Sequence, residues 1–98
     1  MSESQDPYAR VYRRVDEILH YVWDPIGVAG AAGARDEYDG YVPQVVAMLF
    51  EGCTADAIAS HLSTIETESM GLSRSADRDA STRRVSKVLI DHYRWLTR

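Results

Sequence analysis

The chain has a single cysteine, Cys53, so no internal disulfide can form and a reducing compartment fits best. No apolar run approaches the ~18 residues that a membrane span needs. Residues 1–14 are polar and charged, without the apolar stretch of a secretory signal. The expectation is a cytoplasmic protein that does not enter a membrane. No segment alternates apolar and polar residues over a strand's length, and there is no Asn-Gly hairpin turn, which argues against a sheet. Positive charge is nearly missing from the middle of the chain. Across residues 24–68 there is one cation, Arg35, against eight carboxylates.

What is present is helical periodicity. Asp6 suits an N-cap and Pro7 the first helical position. Tyr8, Val11, Val15, Ile18, Leu19 and Val22 come next at helix spacing, and Pro25 predicts a stop near Trp23. A glycine- and alanine-rich stretch over residues 24–35 reads as a crossover loop. Asp39 is expected to cap a second helix over residues 40–51, with Pro43 in its first turn. That helix is apolar almost all round and is expected to be the central, most buried one. Gly52 reads as its C-terminal stop, and Thr54 as the cap of a third helix that ends at Gly71. The last helix is expected over residues 76–96, its very polar first half protruding or fraying. At 98 residues the chain suits one domain. The fold class expected is all-α, a compact four-helix bundle over residues 1–98, with a flexible N-terminus over residues 1–6.

The chemistry is sparse. His20, His61 and His92 lie on three different helices, with no i, i+4 pair and no HExxH arrangement, so no metal site is expected. Cys53 sits at a turn with no histidine near in sequence, and Gly27, Gly30 and Gly33 lack the strand and lysine of a phosphate cradle. No cofactor and no catalytic residue is expected. The net charge of −4 conceals a charge of −7 over residues 24–68 and +4 over residues 69–98. Such a lopsided chain repels nucleic acid at its middle and attracts a cationic protein there. Charge needed only to keep helices in water would read the same way.

Two strings stand out, WDPIGV at residues 23–28 and DEYD at residues 36–39, the latter followed by Tyr41-Val42-Pro43. With IETE at residues 65–68 and MGL at residues 70–72, they resemble a group of small bacterial all-helical proteins without an assigned activity. The resemblance implies a fold. Its further implication, by analogy with other small acidic helical proteins, is an immunity protein that neutralises a basic toxin. The expected partner-binding residues are Trp23, Asp24, Asp36, Glu37, Tyr38, Asp39 and Tyr41. Tyrosines ringed by carboxylates suit a basic protein surface. An alternative comes from residues 48–62, which look like the first helix of a bacterial helix-turn-helix. A recognition helix would then begin near Ser63. It would offer Glu66 and Glu68 to DNA, with no cation before Arg74, so no nucleic-acid partner is expected.

Overall fold

A computed structural model describes residues 6–27, 30 and 36–98. Most of the expected crossover loop and of the expected flexible N-terminus lies outside the described residues.

Helix α1, Pro7–Ile18, starts as its sequence directs. The Asp6 carboxylate accepts the Tyr8 N–H at 2.9 Å and Pro7 occupies the first turn. Val11, Val15 and Ile18, at i, i+4 and i+7, are buried. The helix then widens into a π turn, Leu19–Trp23, closed by the Asp24 N–H on the Leu19 carbonyl at 3.0 Å. Asp24 ends it in the left-handed region, at φ 35°. Pro25 disfavours another helical residue at that place.

The start of the second helix differs from expectation. Asp39 does not cap it. Residues Asp39–Tyr41 form a 3-10 turn without a side-chain cap, and helix α2 runs over Val42–Phe50 with Pro43 in its first turn. At its other end Gly52, at φ 79°, donates to the Leu49 carbonyl and Cys53 to that of Met48, the paired closure that a left-handed glycine permits. Thr54 caps helix α3, Ala55–Thr64, accepting the Ala57 N–H at 3.1 Å. The helix continues without a break into a second π turn, Ile65–Ser69. No recognition helix therefore begins at Ser63, which is buried mid-helix. Gly71, at φ 70°, then turns the chain.

Helix α4, Ala76–Thr97, is capped by Ser75. It packs against all three other helices, whereas α2 lies against α1 and α4 and leaves Phe50 exposed. The central helix is thus α4 and not α2, although α2 is the most buried for its length, with Val42, Val45, Val46 and Leu49 all in the core. Its polar first half does not protrude. Thr82 and Ser86 are buried against α3, where Ser63 and Thr82 meet at 3.4 Å. Their hydroxyls bond back to the Asp79 and Thr82 carbonyls, so small polar side chains serve a tight helix contact without orphaned groups.

The result is an all-α four-helix domain, with no strand among the described residues. Its core joins Val11, Val15 and Leu19 to Val45, Val46, Ile58, Leu62, Val85 and Leu89. No described helix is long and apolar enough to cross a membrane. The start of α4 lies beside Trp23, and its end beside Arg10, Arg13 and Arg14, so α4 runs antiparallel to α1.

Candidate functional site: the acidic end and its aromatic clamp

The two π turns meet. Trp23, at the end of the first, is 4% exposed, and its indole N–H donates to Oε2 of Glu66, in the second, at 2.9 Å. Glu66 is itself 4% exposed. The π turn explains the meeting, because one inserted residue rotates the downstream side chains by about 100° relative to the preceding helical face. Glu66 was not among the residues expected at the site. One signal could have found it: Ile58, Leu62 and Glu66 fall at i, i+4 and i+8, which puts a carboxylate in the apolar stripe.

Beside this pair, Tyr38 is 2% exposed and packs on Trp23 with ring centroids 5.5 Å apart. Its hydroxyl donates to Asp24 Oδ1 at 2.8 Å and accepts the Ile26 N–H at 3.2 Å. Burial, then the hydrogen bond to Asp24, then the negative charges of Asp24 and Glu37 push its pKa up to about 12. Tyr41 closes the cluster edge-on to Trp23 at 6.2 Å.

The seven expected residues therefore sort into three sets. Trp23 and Tyr38 are interior. Tyr38, expected to lend area to a partner, cannot do so from a buried position; it is the peg that holds the turn. Trp23 is support and not an exposed anchor. Asp24 and Tyr41 are half-buried and belong to the clamp. Asp36, Glu37 and Asp39 are exposed on the same turn, and among the described residues none of the three forms an ion pair. Between the clamp and the start of α4 lies a groove of about 430 Å³, lined by Trp23, Asp24, Glu66, Asp77, Arg78 and Ser81 among others.

The opposite end of the molecule has the other character. Trp95 is 61% exposed with the Arg98 guanidinium 3.9 Å above its ring. Arg10, Arg13 and Arg14 line a groove beside it, and Arg14 meets His92 and Glu17. Tyr8, Phe50 and Tyr93 form an aromatic row there, Phe50 stacking on Tyr8 at 5.7 Å and meeting Tyr93 at 5.1 Å.

The exposed face of α3 carries Asp56, Ser60 and Thr64, with Glu68 beyond them, and no cation, which opposes phosphate binding there. Among the described residues no three histidine, cysteine or carboxylate side chains gather as a metal site. No family model matches the chain, and neither the curated proteins nor the solved structures contain a match.

Proposed function

We propose that this chain is a non-enzymatic, acidic binding protein whose partner is a basic protein, in the sharpest form a cytoplasmic immunity protein that neutralises a bacterial toxin. The observation that carries the reading is the turn at residues 36–39. Its carboxylates at Asp36, Glu37 and Asp39 are exposed and, among the described residues, form no ion pair, while the residue between them, Tyr38, is buried and twice hydrogen-bonded. Charge is thereby held on a rigid mount, which lowers the ordering cost of binding and steers a cationic surface into place. Half-buried Asp24 and Tyr41, backed by Trp23, continue the face.

The test is association kinetics with the purified product of the neighbouring gene. Reversal of charge in the D36K/E37K double variant should slow association about tenfold at low salt and flatten its salt dependence, with a smaller effect on dissociation. Unchanged rates in that variant would place the partner elsewhere on the molecule.

A further inference from the structure

Glu66 is the one carboxylate among the described residues that is almost wholly buried. Its Oε2 takes the Trp23 indole N–H, and among the described residues its Oε1 has no hydrogen-bond or ionic partner. That oxygen is not sealed in, since Glu66 forms part of the wall of the groove between the π turns and α4. A charge taken out of water and matched by one neutral donor is costly unless something else completes it. The groove supplies the room, and its chemistry names what fits. Asp77 and Asp24 stand on its rim and the Trp23 indole forms a wall, so a cation entering it meets carboxylates and an aromatic surface together. Arg78 lines the same groove without making an ion pair among the described residues.

We infer that this groove is a socket for a cationic side chain, an arginine or lysine of the basic partner, with Glu66 as its floor and the Trp23–Glu66 hydrogen bond as the device that fixes the floor's orientation. The source of the cation rests on the function proposed above; the socket's chemistry rests on Glu66, with the rim carboxylates and the Trp23 indole beside it. Arg78 is then a like charge in the socket wall that opposes the entering side chain without occupying its place.

The Trp23 indole N–H reports directly on occupancy. In the ¹⁵N-labelled full chain, N-acetyl-arginine amide and N-acetyl-lysine amide are each titrated, with the neutral N-acetyl-citrulline amide as control. The Trp23 indole resonance should move saturably with one or both cations and not with citrulline, while the resonance of Trp95, at the far end, stays put. Glu66→Gln keeps an acceptor for the indole and should weaken the cation at least tenfold. Arg78→Gln should bind as well as the parent or better. The inference is overturned if neither cation moves Trp23, if citrulline matches them, if Glu66→Gln binds equally, or if Arg78→Gln alone reproduces the shift, which would make Arg78 the native occupant. The D36K/E37K variant should titrate as the parent does. Loss of the socket and loss of the acidic face are therefore separate results.

Discussion

The Trp23 indole serves as core filler and as the donor to a buried carboxylate, and the two roles respond differently to substitution. Trp23→Phe keeps most of the apolar volume but leaves Glu66 with no donor at all. Its expected cost is about 2–4 kcal/mol, read as a lower midpoint in denaturant unfolding. Glu66→Gln removes the buried charge and retains the hydrogen bond, so it should be neutral or stabilising by about 1 kcal/mol, the pattern of a site kept for binding at the expense of stability. A large loss of stability in Glu66→Gln would mean that the charge itself holds the fold. Tyr38 gives the pH dependence. Its pKa rises from 10.0 unfolded to about 12 folded, so the folded state keeps the proton longer. That contribution is complete below pH 10 and is lost as pH climbs to 12, on the order of 2 kcal/mol. Tyr38→Phe should be less stable near neutrality, having lost the Asp24 and Ile26 bonds, yet should show a shallower decline between pH 10 and 12 in unfolding measured across that window. Parallel declines for both proteins would assign the alkaline loss to other groups.

At the scale of elements, helix ends govern. Gly52 holds φ 79° at the close of α2, and a Cβ added there meets nothing within 4 Å. Gly52→Ala should therefore cost only the left-handed backbone strain, about 1–2 kcal/mol, and leave binding unchanged; a larger loss in thermal unfolding would reveal a clash that the open geometry denies. The boundaries set by local chemistry were readable from residue types: Asp6 and Thr54 as caps, Gly52 and Gly71 as stops. Asp39 shows where that reading fails, since a capping residue is needed only if the helix begins beside it, and here a 3-10 turn intervenes. The two π turns carry no local signature, because they answer a long-range demand, the meeting of Trp23 with Glu66 across 43 positions. The candidate site was half legible for the same reason. Trp23, Asp24 and Ile26 of the first string do converge on Tyr38 of the second, but a string of polar residues does not reveal that its tyrosine turns inward while its carboxylates stay out. The tight contact of α4 with α3 was equally hidden, since Ser63, Thr82 and Ser86 look like surface residues until their hydroxyls are seen to bond their own backbones or each other.

Over the whole molecule, 44 Å in its longest extent, charge is drawn to two ends, although Arg78 of the basic tail lies beside the acidic one. Antiparallel packing of α1 and α4 brings Arg10, Arg13 and Arg14 to the end that carries Trp95 and Arg98, while Asp36, Glu37 and Asp39 stand by Trp23 at the other end. The two tryptophans thus sample opposite fields at very different depths, 61% exposed against 4%. Collisional quenching can read this separation. Iodide, drawn to the arginines, should quench Trp95 more than neutral acrylamide of equal collisional efficiency does, and caesium, repelled, should quench it less, with both differences shrinking as added salt shortens the Debye length. Trp95→Phe, which leaves Trp23 alone, should abolish nearly all iodide quenching, because the remaining indole is buried against Tyr38 and Glu66. Equal quenching of Trp95 by iodide and caesium would mean that Glu17 and Asp91 cancel the arginines locally. The molecule would then have one charged end instead of two, and the acidic end alone would orient an approaching partner.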